Sequence, residues 1–204
     1  MAKIDYKRQY PELFKPSPKT FSVVEVPPLQ YLMIDGQGDP NSAQAYQDAL
    51  QALYGLAYAL KFALKARDRD HVVMPLEGLW WAPDMADFTD QDKSAWHWTM
   101  MIMQPPQVDK VLLASAREQV AKKKDSVAMP KVRLETLEEG LAAQILYLGP
   151  YADEAPTIQR LHDYIEEQGC ERFGKHHEVY LSDPRRTAPE RLKTVIRQPM
   201  RPRT

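Results

Sequence analysis

An acid and a phenol near the end of the chain have the residue types and the spacing for proton chemistry. They are Glu178 and Tyr180, in the run from His177 to Leu181. Side chains two residues apart on a β-strand point to the same face, so Glu178 and Tyr180 lie side by side, while His177 and Val179 face the core. Partial burial would raise the pKa of Glu178 unless Tyr180 or a cationic ligand stabilised its charge. Such a pair can bind a cation or move a proton.

Aromatic residues are concentrated in other segments that we predict to be strands. They lie in the runs Glu77-Gly78-Leu79-Trp80-Trp81, Trp96-His97-Trp98 and Tyr147-Leu148-Gly149-Pro150-Tyr151. Indole rings that roof a groove could shelter a bound molecule and the acid beside it. By alternation Glu77 falls with Leu79 and Trp81, which makes it either a surface residue at a strand end or a second acid of the pocket.

The same residues also fit a purely structural role, and the spacing alone leaves both interpretations open. Tryptophans on strands usually fill hydrophobic cores, and a single glutamate on a strand usually faces water. Other arrangements do not match a known site. The five histidines lack metal-ligand spacing. Gly36-Gln37-Gly38 lacks the third glycine of a dinucleotide fingerprint, and no motif surrounds Cys170. We therefore expect no metal and no cofactor.

The predicted elements repeat the order strand, helix, strand, strand. The first module covers about residues 30–103 and the second about residues 141–198, and a linker helix over residues 107–124 joins them. In each module the first strand ends at a glycine turn, at Gly36 and at Gly149. This order predicts an α+β fold, an antiparallel sheet with the helices on one face, and a ligand groove at the seam between the modules.

Local signals give further boundaries. Residues 1–20 hold charges and prolines without the regular hydrophobic spacing of a helix or strand. They are predicted to form an extended lead segment that packs late or stays mobile. One domain is predicted over residues 21–204. Asn41 or Ser42 is expected to cap the longest helix, which ends near Arg67. Glu139-Gly140 is expected to form the turn of a β-hairpin between residues 131–138 and 141–148.

Composition excludes several classes of protein. The 204 residues carry 27 basic and 28 acidic side chains, a net charge of −1, which does not fit a dedicated nucleic-acid-binding protein. The basic stretch from Arg185 to Thr204 is expected to be a solvated end, since no stacking aromatics interrupt it. A single cysteine excludes an intrachain disulfide and fits a reducing cytoplasm. The sequence has no apolar stretch long enough for a signal core or a membrane span, so no membrane partner is expected.

Several blocks of sequence resemble the GyrI-like small-molecule-binding family, which is related to the DNA gyrase inhibitor protein and to the effector-binding domains of multidrug-sensing regulators. The blocks are Pro75–Trp81, Trp96–Trp98, Tyr147–Tyr151, Glu178–Thr187 and Leu192–Thr194. The likeness covers about residues 21–200, and the double-tryptophan block points to the stand-alone branch. The resemblance implies two strand-helix-strand-strand modules and a pocket acid at Glu178. It also implies aromatic pocket walls at Trp80, Trp81, Trp98, Tyr147 and Tyr180. With Tyr151 of the same motif and Glu77 as the possible second acid, these make up the predicted substrate-binding residues.

The resemblance leaves three functions to compare. Some stand-alone relatives hydrolyse cyclopropane-containing DNA-alkylating compounds, which implies a detoxifying hydrolase with Glu178 and Tyr180 as catalytic residues and no cofactor. In that reaction Glu178 would orient or deprotonate water, and Tyr180 or another phenol would donate a proton. The alternative is a non-catalytic protein that binds planar aromatic or cationic drugs in the same pocket. Inhibition of gyrase would need an exposed surface that the sequence does not identify.

Overall fold

The computed structural model describes residues 3–82, 93–122 and 126–203, in which five α-helices and nine β-strands occur. The helices are α1 Tyr6–Gln9, α2 Pro11–Phe14, α3 Gln44–Lys65, α4 Lys110–Ala121 and α5 Ala155–Glu167. The strands are β1 Ser22–Val26, β2 Leu29–Gln37, β3 Leu76–Trp81, β4 His97–Met103, β5 Arg133–Leu137, β6 Gly140–Leu148, β7 Cys170–Arg172, β8 His176–Tyr180 and β9 Lys193–Pro202. The predicted α+β class with antiparallel strands is confirmed.

The chain forms two compact units. Unit 1 comprises the chain up to Tyr6, Leu29–Leu76 and Trp80–Leu137, and unit 2 comprises Lys7–Pro28, Glu77–Leu79 and the chain from Glu138 onward. None of the helices in the described ranges is both long enough and apolar enough to cross a bilayer.

Unit 1 is built around β2, which pairs antiparallel with β4 on one side and with β5 on the other. Helix α3 packs on β2 and β4, and α4 packs on α3. Gly36 on β2 lies directly opposite Trp98 on β4, and a Cβ atom at Gly36 would stand 2.1 Å from the Trp98 ring. The glycine thus gives the indole its place against the neighbouring strand.

Unit 2 is built around β6 and β9, which pair antiparallel with each other. Strand β1 pairs with the other edge of β6, while β8 and β7 pair with β9. Helix α5 covers one face of these strands through a buried hydrophobic cluster. Its members include Ile145 on β6, Ile196 on β9, and Leu161 and Ile165 on α5.

The predicted hairpin at Glu139-Gly140 is wrong. Strand β5 pairs with β2 in unit 1, whereas β6 pairs with β1 and β9 in unit 2. Glu139 does not stand at an exposed turn, because its buried carboxylate contacts His177 and Arg197. Gly140 takes the left-handed backbone conformation, at φ 67°, that lets the chain enter β6 from this inward-pointing residue.

The lead segment is also different from the prediction, because it is folded. Residues 6–14 form the short helices α1 and α2, and Leu13 and Phe14 are almost fully buried, at 1% and 3% exposed. The buried Arg197 guanidinium donates a hydrogen bond to the Leu13 carbonyl oxygen at 2.8 Å, and Gln144 donates to that of Glu12 at 2.6 Å. These long-range contacts order a segment that has no regular period of its own.

Two predicted helices have different ends. Helix α3 starts after Ala43, which makes no side-chain cap, and Asn41 instead donates its backbone N–H to Asp39 Oδ1 at 2.9 Å in the preceding turn. The predicted helix 107–124 begins later, after Asp109, whose side chain accepts the backbone N–H of Leu112 at 2.7 Å. Residues 123 and 124 of that prediction lie outside the described residues.

Candidate functional site

The centre of the candidate site is the carboxylate of Glu178 in unit 2. Glu178 lies on β8 opposite Ile196 of β9, and residues directly opposite each other in a sheet share a face. Ile196 packs against α5, so Glu178 also points to the face that α5 covers. The residue is 7% exposed. Burial thus rules out the interpretation in which Glu178 faces open water.

The Glu178 carboxylate has a close partner on its own strand. His176, two residues earlier, places its Nε2 atom 3.1 Å from Glu178 Oε1. The side chains of Tyr180 and Glu154 also lower the pKa of Glu178, by smaller amounts than His176. Burial raises the pKa of Glu178, but the hydrogen bonds and the charge of His176 outweigh it, so the net pKa lies below its ordinary value. The upward bias considered from sequence is therefore reversed, chiefly by His176.

The tyrosines of the run Tyr147 to Tyr151 are held around the same face. The Tyr147 hydroxyl donates to the Pro150 carbonyl oxygen at 3.0 Å, and it passes so close to Gly149 that a Cβ there would stand 2.7 Å from it. The Tyr151 ring meets the Tyr180 ring edge-on, with centroids 5.6 Å apart. The glycine and proline of this motif thus position two phenol rings, one of them against the predicted catalytic Tyr180.

Thr194 is a polar group of this face that sequence reasoning missed. It lies on β9 directly between Tyr147 of β6 and Tyr180 of β8, and it is fully buried. Within the part of the chain that the structure describes, its hydroxyl oxygen has no hydrogen-bond partner. A buried hydroxyl in this position can donate to or accept from a bound molecule.

Glu77 belongs to a separate network of buried charges on the other face of β8. His177 Nε2 lies 3.0 Å from Glu77 Oε2, and His177 Nδ1 lies 3.0 Å from the Glu139 carboxylate. Arg197 Nη1 is 3.5 Å from Glu139 Oε2. Burial lowers the pKa of His177, but the charge of Glu139 and the hydrogen bonds of both glutamates raise it to about 9.

This network answers the question left open for Glu77. His177 and Glu178 are consecutive on a strand, so their side chains leave on opposite faces. Glu77 is 0% exposed and bonds His177, so it is neither a surface residue nor an acid beside Glu178. In the structure it is part of a buried ion network.

The tryptophans predicted to bind substrate, Trp80, Trp81 and Trp98, lie in unit 1. Tyr46 of α3 meets the Trp98 ring edge-on at 5.4 Å and the Trp80 ring at 6.3 Å, and Trp80 lies 5.8 Å from Trp96. The Lys93 ammonium sits 4.7 Å above the Trp96 ring. Trp80 and Trp98 are buried, at 4% and 1% exposed.

Trp81 differs from its neighbour in environment. It is partly exposed and stacks on His97, with ring centroids 5.7 Å apart.

Among the predicted site residues, the structure brings together Glu178, Tyr180 and Tyr151 in unit 2. Among residues 3–82, 93–122 and 126–203, no cluster of His, Cys, Asp and Glu side chains is arranged to hold a metal ion.

Comparison with known proteins gives the family. The model of the GyrI-like small molecule binding domain matches residues 19–201, almost the whole chain. The chain belongs to the GyrI-like family. It therefore carries a small-molecule-binding domain of this family, as the sequence blocks around Glu77, Tyr147 and Glu178 predicted. No curated protein gives a significant match.

Solved structures similar to this chain include three from Listeria innocua, each matched over its whole length and over 98% of this chain. One, an uncharacterized conserved protein, is 38% identical with a TM-score of 0.91. The other two are described as hydrolases, both 36% identical, with TM-scores of 0.89 and 0.85. This chain is similar to all three over its length.

Two polar partners of Glu178 were missed in the sequence for different reasons. His176 shares the face of Glu178 by simple alternation, so the strand pattern contained the signal. Glu154 lies in the turn before α5, and its contact with Glu178 depends on how α5 packs, which no local pattern encodes.

Proposed function

We propose that this GyrI-like protein is a hydrolase that adds water to cyclopropane-containing electrophilic genotoxins. The observation that carries the proposal is the Glu178 carboxylate, which is buried and yet kept ionised by its hydrogen bonds. An ionised carboxylate can take a proton from water and so act as a general base. The similarity to two Listeria innocua proteins described as hydrolases supports the reaction class.

The proposed step needs only water and the strained ring of a cyclopropyl-dienone. The water oxygen bonds to a ring methylene carbon while Glu178 takes the water proton. The cyclopropane C–C bond breaks, and its electron pair moves through the dienone to the carbonyl oxygen as a phenolate. Tyr180 donates a proton to that oxygen, and the proton on Glu178 returns to Tyr180 across their hydrogen bond. The sum is the addition of one water.

Two aromatic side chains of unit 2, Tyr147 and Tyr151, are proposed to hold the flat substrate beside Tyr180. The edge-on contact of Tyr151 with Tyr180 supports this role. The substrate-binding role of Trp80, Trp81 and Trp98, which lie in unit 1, stays a prediction. Glu77 is left out of the set because it bonds His177 on the opposite face from Glu178.

The test is to follow ring opening of a cyclopropyl-dienone by absorbance, and to detect the gain of one water by mass spectrometry. Glu178→Gln keeps the shape but cannot take a proton, so we expect kcat to fall by about 10²- to 10⁴-fold. Glu167→Gln, an exposed acid on α5, is the matched control and should keep the wild-type rate. Equal rates for wild type and Glu178→Gln would show that Glu178 is not the general base.

A second candidate, a non-catalytic protein that sequesters lipophilic cations, is favoured by the same ionised carboxylate beside two phenol rings. Cation–π contacts contribute about 0.5–2 kcal/mol each, so two or three rings with a carboxylate support micromolar affinity. In this case planar cations would quench tryptophan fluorescence, Glu178→Gln would weaken that binding, and no tested electrophile would gain water.

A further inference from the structure

We propose that the buried hydroxyl of Thr194 is a substrate-binding group, which donates a hydrogen bond to a carbonyl oxygen at the edge of a flat ligand. The inference rests on the proposed hydrolase function, which it deepens by assigning the group that recognises the polar end of the substrate. Sequence reasoning did not single out Thr194, because threonine is an ordinary residue of β-strands.

Strand pairing places Thr194 on the same face of the sheet as Glu178. Thr194 and Ile196 are two residues apart on β9, so their side chains share a face. Ile196 lies directly opposite Glu178, and Thr194 lies directly opposite Tyr180. On the other side of β9, Thr194 lies directly opposite Tyr147 of β6. Thr194 is therefore the central residue of a row with a phenol on each neighbouring strand.

The two phenol rings form walls on either side of the Thr194 side chain. Residues directly opposite each other in an antiparallel sheet have Cβ atoms about 4.5–5.5 Å apart. The Tyr147 ring is fixed by the hydrogen bond of its hydroxyl to the Pro150 carbonyl oxygen, and the Tyr180 ring meets Tyr151 edge-on. A flat molecule that packs against such a ring turns its edge toward the sheet, where the Thr194 hydroxyl lies.

The Thr194 hydroxyl is a buried donor that the fold itself does not use. Thr194 is 0% exposed, and none of the described groups of the chain hydrogen-bonds its Oγ1 atom. Thr99 of β4 shows the usual arrangement, because it is 2% exposed and its hydroxyl donates to Asp35 Oδ1 at 2.7 Å. An unpaired buried hydroxyl is unfavourable in the free protein. A ligand oxygen that reaches Thr194 supplies the missing partner.

A ring must turn aside before a ligand reaches Thr194, because the side chain has no exposed surface. Tyr147 packs against the hydrophobic cluster under α5, so moving it would disturb the core of unit 2. Tyr180 is partly exposed, and we expect its ring to be the one that turns. The hydrogen bond formed at Thr194 offsets part of the cost of this movement.

In the proposed ring opening, Thr194 would stabilise the oxygen on which negative charge develops. A carbonyl oxygen accepts two hydrogen bonds, so it can receive one from Tyr180 and one from Thr194. Removing one donor of this kind lowers kcat by about 10²- to 10³-fold in other enzymes. Thr194 adds no covalent step to the reaction.

A binding experiment tests Thr194 without any turnover. Fluorenone and fluorene are flat molecules that differ by one carbonyl oxygen, and equilibrium dialysis gives the affinity for each. Thr194→Val removes the hydroxyl and keeps the shape, so it should weaken fluorenone binding by about 3- to 10-fold and leave fluorene binding unchanged. Thr194→Ser should keep most of the fluorenone affinity, and Thr99→Val should keep all of it. Absence of fluorenone binding to wild type, or an equal effect of Thr194→Val on both ligands, would overturn the proposal.

Thermal unfolding of the same variants without ligand separates a binding role from a structural one. Thr194→Val should raise Tm, because it removes an unpaired buried hydroxyl, whereas Thr99→Val should lower Tm, because it removes a hydrogen-bonded one. A fall in Tm for Thr194→Val as large as that for Thr99→Val would show that the hydroxyl serves the fold, and would overturn the proposal.

The kinetic test uses a cyclopropyl-dienone. Thr194→Val should lower kcat by about 10²- to 10³-fold, and Thr194→Ser should restore part of that rate. Hydrolysis by wild type with an unchanged kcat in Thr194→Val would overturn the role of Thr194 alone. If Thr194→Val loses fluorenone selectively and wild type opens no cyclopropane, the binding role of Thr194 stands and the proposed hydrolysis fails.

Discussion

At the scale of single residues, two glutamates with the same chemistry differ because of their partners. Glu178 receives hydrogen bonds from His176 and Tyr180 on the face that α5 covers. Glu77 contacts His177 on the opposite face, where Glu139 neutralises the imidazolium. Removing one member of such a buried ionic network leaves the others without compensation, which is strongly destabilising. The group around Glu178 is the candidate site, whereas the network around His177 stabilises unit 2.

The His177 network makes the stability of the protein dependent on pH. The folded pKa of His177 is raised from 6.5 to about 9, so its contribution is complete below pH 6.5 and is lost as the pH rises through 9. The pKa of Glu139 is lowered, mainly because His177 and Arg197 outweigh the effect of burial, so its contribution is lost as the pH falls. Both contributions are present together between about pH 4.5 and 6.5.

We expect His177→Gln to reduce the free energy of unfolding by roughly 3 kcal/mol at pH 6.5, and by much less at pH 9.5. The measurement is urea denaturation at both pH values. His162→Gln is the control, because burial lowers the pKa of His162 to about 4 and its charge therefore does not change above pH 7 in the folded state. If wild type and His177→Gln lose stability in parallel between pH 6.5 and 9.5, the His177 imidazolium is not the cause of the pH-dependent stability.

Residue alternation predicted the pairing of Glu178 with Tyr180 on one strand face, and the structure has this arrangement. It could not reveal the partners of His177, because Glu77 and Glu139 are far from it in sequence. A buried ion network is assembled by strand pairing, and a strand pattern read alone marks such a histidine only as core-facing.

At the scale of elements, the close approach of β2 and β4 depends on a missing side chain. Gly36 and Trp98 are directly opposite, and the ring fills the space that a Cβ would take. The turn signal predicted the end of a strand near Gly36 but did not predict this contact. A glycine in a strand interior is a mark of close approach as well as of a turn.

The expected outcome is that Gly36→Ala destabilises the protein by about 1–3 kcal/mol, because the Trp98 ring must move within a packed core. Gly55→Ala on α3 is the matched substitution, since its new Cβ would meet Val120 at an ordinary 3.6 Å. A helical Gly→Ala change should stabilise by about 0.5–1 kcal/mol. Thermal unfolding and the Trp98-sensitive near-ultraviolet circular dichroism spectrum provide the measurements. Equal effects at the two glycines would contradict the steric explanation.

Strand pairing was the least predictable feature of the elements. Periodicity and turn signals predicted most strands and helices of the two modules to within a few residues, but they missed β7, which follows α5. The partners of β1 and β5 did not follow: β1 pairs with β6, and β5 with β2. Adjacent strands separated by Glu139-Gly140 predict a hairpin locally, whereas the buried contact of Glu139 with His177 does not fit an exposed hairpin turn.

At the scale of the whole molecule, residues 6–14 are an integral part of the fold. Leu13 and Phe14 are buried, and the backbone of α2 accepts hydrogen bonds from Arg197 and Gln144. Without the Leu13 carbonyl, part of the buried Arg197 guanidinium would lack an acceptor, which costs more than the bond contributes. The lead segment therefore completes the buried polar network of unit 2.

This connection predicts that damage to the lead segment lowers global stability. Leu13→Ala removes a side chain that is 1% exposed and should cost about 2–5 kcal/mol. Glu12→Ala, at an exposed position, leaves the carbonyl that accepts from Gln144 in place and should cost less than about 0.5 kcal/mol. The free energy of unfolding from urea denaturation is compared with the hydrogen-exchange protection of the α5 and β9 amides. Both should fall together in Leu13→Ala, because a buried contact between distant segments couples their opening. Loss of protection confined to the first fourteen residues, with global stability unchanged, would mean that the segment only rests on a fold that is complete without it.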